Sequence, residues 1–171
     1  MHRRESIASS TSWSPPPPGS VLFMCDAAIF SELSKFGACV VALNSDGQFV
    51  IACREANYGS LEPELAEACG LHRAVNLARE MGCDSVIFAS DCLSLVQRIN
   101  SHVRDRSLVG AVVSEIKDGM SNILFSRVKF IRRQSNVLAH NLAKSCLSCN
   151  GLCVFTSTSE CIRETVCNYV A

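Results

Sequence analysis

No excess of charge of either sign marks this chain. Its 171 residues carry 16 Lys and Arg against 16 Asp and Glu. A strongly basic nucleic-acid binder is therefore not indicated, and any polyanion site has to be a local patch. Long hydrophobic runs are missing too. None approaches the roughly 18 to 20 apolar residues that a membrane span requires. The basic start Met1-His2-Arg3-Arg4-Glu5 has no apolar stretch behind it, so neither a membrane partner nor a secretory signal is expected. No internal repeat is visible.

A second short-spaced cysteine pair is also absent, although cysteine itself is plentiful. Eleven is an odd number, and Cys25, Cys39, Cys53, Cys69 and Cys92 stand singly within strand-like or helical patterns. That distribution reads as free thiols in a reducing, intracellular compartment rather than as a disulfide framework. Cys146, Cys149 and Cys153 cluster, and Cys161 and Cys167 follow. No second short-spaced pair completes the four-ligand pattern of a zinc site.

What is present divides into three zones. Residues 1–19 are rich in Ser and Pro and end in Pro15-Pro16-Pro17-Pro18-Gly19, an extended and flexible lead-in; Trp13 within it either caps the core or binds something. A domain follows over residues 20–147. Residues 148–171 form a tail with room for a short helix near Cys161 to Tyr169. Within the domain, apolar runs predict strands at Val21 to Phe30, Gly37 to Leu43 and Gln48 to Ala56. Asp46-Gly47 between the second and third runs signals a hairpin. A helix is predicted from Glu62 to Met81, with Pro63 in its first turn, Gly82 as its stop and the stripe Ala68, Leu71, Val75 and Ala78. A strand at Val86 to Asp91, helices at Cys92 to Asn100 and Leu108 to Met120, a strand at Leu124 to Ile131 and a helix from Asn136 to Leu147 complete it, with Ser135 as the last helix's N-cap. Such an order implies an α/β sheet with helices on its faces.

Three acids break this apolar patterning. Asp26 lies inside the run Val21 to Phe30, Glu67 flanks the helical stripe beside Gly70 and Ala74, and Asp91 closes the fourth strand. Burying charge is costly unless it is paired or binds a metal, and carboxylates converging from two strands and a helix suit a hard cation such as Mg²⁺. Blander roles exist for two of them. Asp91 fits an N-cap and Glu67 a flanking surface glutamate, whereas Asp26 is hardest to explain structurally. Glu64 reads as a first-turn acid favoured by the helix dipole. A shared metal site requires the three carboxylates to lie within roughly 4 to 8 Å of one another, with Glu64 outside.

In order, Cys25-Asp26-Ala27-Ala28, Pro63-Glu64-Leu65-Ala66-Glu67-Ala68, Ser90-Asp91-Cys92-Leu93 and the run from Arg132 to Ala143 resemble the ribonuclease H type-1 domain. More narrowly, they are similar to plant ribonuclease H-like proteins related to retrotransposon domains. The resemblance covers most of the chain. It implies a ribonuclease H-like fold with a five-stranded mixed sheet, the first three strands antiparallel, flanked by helices. It also implies hydrolysis of the RNA strand of an RNA–DNA hybrid with two Mg²⁺ or Mn²⁺ ions. Asp26 would bridge both ions, Glu67 would hold one and orient the attacking water, and Asp91 would complete the other side.

The pattern departs at His140, where active members of this family usually place a fourth carboxylate and where plant-type relatives carry histidine. Imidazole is a poor Mg²⁺ ligand. His140 is then either a catalytic proton shuttle or a plain helix-surface residue. Lys129, Arg132, Arg133 and Asn136 lie near the expected site as candidate substrate contacts. Two functions follow: a hybrid-cleaving nuclease, expected as a monomer with nucleic acid as its partner, or a catalytically weakened or inactive module that binds nucleic acid.

Overall fold

Strong apolar runs with β-branched and aromatic residues fold here into β1 (Val21–Phe30), β2 (Lys35–Leu43), β3 (Phe49–Tyr58), β4 (Ser85–Ser90), β5 (Phe125–Phe130) and β6 (Gly151–Phe155). The computed structural model describes residues 14–158; Trp13 and the expected helix from Cys161 to Tyr169 lie outside them. The strands form one sheet in the order β5-β4-β1-β2-β3-β6. β1, β2 and β3 are antiparallel, while β4 runs parallel to β1 and β5 parallel to β4.

The ribonuclease H-like α/β fold is therefore present, with six strands rather than five. The sixth arises from the stretch read as a tail, where residues 151–155 pair antiparallel with β3. Two cations bring the chain there. Lys35 is buried at the start of β2 and its ammonium donates to the carbonyls of Leu147 and Cys149, while the Arg54 guanidinium donates to Ser145. The hairpin between β2 and β3 is longer than a two-residue turn. Asn44 Oδ1 accepts from the N–H groups of Asp46 and Gln48, and Gly47 takes a left-handed φ of 75°.

Helices α1 (Pro63–Glu80), α2 (Leu93–Asn100), α3 (Leu108–Ser121) and α4 (Val137–Lys144) cover the sheet. Side chains alternate across β1. Phe23 and Cys25 pack with Leu71, Val75 and Ile116 from α1 and α3, whereas Leu22 and Met24 pack with Leu138 and Leu142 from α4. The predicted α1 stripe of Ala68, Leu71, Val75 and Ala78 is wholly buried. The last helix is shorter than expected, giving way to a 3-10 turn at Ser145–Ser148. Its N-cap is Asn136 and not Ser135, because residues 133–135 already form a 3-10 turn of their own.

Two features open a crevice in this frame. The β1–β4 ladder ends at Met24 and Ala89, so β1 runs on past the end of β4. α1 also approaches β1 closely: a Cβ on Gly70 would lie 3.2 Å from the Asp26 carbonyl oxygen. The crevice lies at the carboxyl end of β4, where strand order reverses about β1, the usual ligand position in such sheets.

Close packing on the other face gives a first prediction. A Cβ at Gly37 on β2 would overlap Cβ and Sγ of the buried Cys146. Gly37→Ala should lower stability by about 1–3 kcal/mol, read as a fall in the urea unfolding midpoint. An unchanged midpoint would mean that the turn after α4 yields freely.

Candidate functional site

Asp26 on β1, Glu67 on α1 and Asp91 just past β4 meet in the crevice. One carboxylate oxygen from each lies within 4.8 Å of the others, and this is the only such acid, histidine or cysteine group among the described residues. Asp26 is completely buried, and the Asp91 side chain is 10% exposed. Glu64 stays outside, paired with Arg98 at 2.8 Å. Arg98 in turn pairs with Asp105. The N-cap of α2 is Cys92, which removes the capping role considered for Asp91.

The electrostatics are those of crowded, poorly hydrated acids. Burial, the Asp26 charge, a hydrogen bond with Asp26 and the Asp91 charge push Glu67 up from its ordinary 4.5 to about 9, against a smaller opposing effect of the Ala27 N–H. Burial and the Asp26 charge also raise Asp91, opposed by Arg133 and by a hydrogen bond from Asn136. As carboxylates, Asp26 and Glu67 leave Oδ1 and Oε2 buried with no donor. An orphaned buried acceptor of this kind is destabilising. A hard oxygen set with two unfilled positions is what a divalent cation takes up, so the residues fit such an ion.

His140 is not a plain surface residue. Its Nδ1 lies 2.8 Å from Asp26 Oδ2, and its side chain is 23% exposed. α4 thus occupies the second Asp26 oxygen with an imidazole. Arg133 is exposed, and its Nε lies 3.8 Å from Asp91 Oδ2. Arg132 is exposed on the same turn, and Lys129 is half-buried on β5, where burial and Arg127 push its ammonium down. Asn136 departs from expectation. It is fully buried, donating from Nδ2 to the Cys25 carbonyl at 2.9 Å, and so does not face a substrate. The sequence shows its polarity but not the carbonyl it meets 111 residues away.

The chain belongs to the reverse transcriptase-like family, whose model matches residues 24–146. Its body is a ribonuclease H-type domain. Ribonuclease H1 from the archaeon Halobacterium salinarum superposes with a TM-score of 0.69 at 17% identity, over 75% of this chain and 97% of that one. The N-terminal ribonuclease H domain of a Mycobacterium tuberculosis protein gives 0.68 at 16%, over 75% and 93%. A compost-derived ribonuclease H1 solved in complex with an RNA/DNA hybrid gives 0.61 at 20%, over 75% and 99%. No functionally curated protein matches the chain in sequence.

The raised Glu67 makes stability depend on pH. A folded value near 9 against an ordinary 4.5 favours the protonated carboxyl in the folded state. That contribution is full below about pH 4.5 and is lost as pH rises through 9. In chelator, wild type should therefore lose stability between pH 5 and 9, and Glu67→Gln should flatten the slope. The variant should melt roughly 3–8 °C higher at pH 8 and converge with wild type near pH 5. Parallel melting curves across this range would show that Glu67 is not held protonated.

Proposed function

We propose that this chain is a divalent-cation-dependent endonuclease that hydrolyses the RNA strand of RNA–DNA hybrids. The observation that carries the reading is the convergence of Asp26, Glu67 and Asp91, two of them with buried, unpartnered oxygens, at the strand-order switch of a ribonuclease H-type fold. The complex of one structural relative with an RNA/DNA hybrid supports the choice of substrate. Recognition of such a duplex rests on groove shape and 2′-hydroxyls rather than on base sequence.

Asp26, Glu67 and Asp91 would hold the Mg²⁺ or Mn²⁺ ions. When bound, a pair of such ions supplies Lewis-acid activation of water and neutralises charge on the leaving oxygen. With the cations held, Glu67 would stand as a carboxylate and would accept a hydrogen bond from the attacking water. That orients the water oxygen toward phosphorus as the bond from phosphorus to the leaving sugar oxygen breaks. His140, at the rim beside Asp26, takes or returns a proton. Arg132 and Arg133 on the exposed turn after β5, together with Lys129, hold backbone phosphates.

A second reading has its own observation. His140 stands where the motif carries a carboxylate in active members, and it pairs with Asp26. A domain so altered binds hybrid without turnover.

Incubating the purified chain with labelled hybrid separates the two. Cleavage should need Mg²⁺ or Mn²⁺, and Asp26→Asn should abolish it in a folded protein, because an amide cannot supply the shared negative charge. Activity surviving excess chelator would exclude this mechanism. Binding without cleavage in either ion would favour the second reading.

His140→Asp should increase cleavage modestly and lower the Mg²⁺ concentration required. His140→Ala distinguishes a proton carrier, which loses on the order of 10²-fold in rate, from a residue that merely sits beside Asp26. A slower aspartate variant needing more metal would show that this position is not a degraded ligand site.

A further inference from the structure

Asn136 is the largest fully buried polar side chain of the domain, and its placement has no capping purpose. It stands at the N-cap of α4, yet its side chain makes no cap bond. Instead Nδ2 donates at 2.9 Å to the carbonyl of Cys25, the peptide group that leads into Asp26. The same side chain is among the groups that hold the Asp91 carboxyl down against the effect of burial. One amide thus grips the backbone that presents the first carboxylate and acts on the third.

The need for such a link is visible in the sheet. Ladder pairing between β1 and β4 stops at Met24 and Ala89, before either acid is reached. Past that point no backbone hydrogen bond sets the spacing of Asp26 and Asp91. An amide nitrogen carries two hydrogens, so Nδ2 keeps one for the Asp91 side after bonding the Cys25 carbonyl, and it adds no charge. Aspartate has no such donors. Packing alone does not account for the residue, since Asn136 Oδ1 is buried without a partner and a leucine of similar volume would leave no orphan. Anchoring of α4 is supplied elsewhere, by Leu138, Ala139 and Leu142 in the apolar layer.

We propose that Asn136 is a positioning residue that fixes the spacing between Asp26 and Asp91 on which divalent-cation affinity depends. The inference rests on the reading of the three acids as a cation site. It moves Asn136 from the substrate to the support of the ligands, where loss of such a partner typically costs 10- to 100-fold in metal affinity.

The test is Mn²⁺ binding by calorimetry on the full chain, for wild type, Asn136→Ala and the volume-filling Asn136→Leu. Unfolding midpoints in chelator are measured alongside, and binding is measured well below them. Both variants should bind Mn²⁺ about 10- to 100-fold more weakly, with the leucine variant keeping a midpoint close to wild type. A purely structural residue gives another pattern: lower midpoints in chelator with wild-type Mn²⁺ affinity in the folded protein. That result overturns the proposal while leaving the cation site standing. Wild type that binds no Mn²⁺ overturns the cation site itself, and the proposal with it.

Discussion

Three carboxyl groups that each bring one oxygen within 4.8 Å of the others, two of them with a buried oxygen left unpartnered, set the constraint to which the surrounding structure answers. Such a group is unfavourable by itself, because like charges repel and buried acids lose their hydration. The sheet around it has to be stable without its help. Apolar residues on both faces of β1, and the nine buried residues of β2, provide that reserve. The unfavourable chemistry is then concentrated at a single place, where β1 emerges beyond its parallel neighbour.

Each acid arrives by a different route. Asp26 is carried by the strand that all the others flank. Glu67 depends on how closely a helix can approach, which Gly70 permits against the Asp26 carbonyl. Asp91 depends on where β4 ends and on Asn136 beside it. A shift of α1 by a few tenths of an ångström would thus move one ligand and leave the other two in place. Arg133, exposed and 3.8 Å from Asp91, tempers the negative field from the outside without filling it.

Much of this was legible in the sequence, for physical reasons. Asp26 interrupts a run in which no polar group is otherwise tolerated, so its exceptional position shows at once. Strong periodicity located α1 to within a residue or two, and the small residues beside Glu67 marked the close approach. Other features depend on contacts between distant segments, which local patterns do not encode. β6 is five apolar residues in a cysteine-rich stretch, and only pairing with β3 makes it a strand. Asn136 reads in the sequence as a candidate substrate contact, whereas its partner is a backbone carbonyl on β1. The side of α4 that His140 occupies likewise depends on which of its faces packs on the sheet.

β6 also changes the character of the sheet's margin. Without it, the ten-residue β3 would present a row of unpaired N–H and C=O groups, a ready template for another chain. The five residues of β6 cover half of that row, and Lys35 and Arg54 tether the segment leading to it by its carbonyls and a serine. A chain cut after the last helix would keep every acid of the crevice yet expose this border. Its failing would be colloidal rather than chemical: protein lost to intermolecular β-pairing at concentrations where the longer chain stays dispersed.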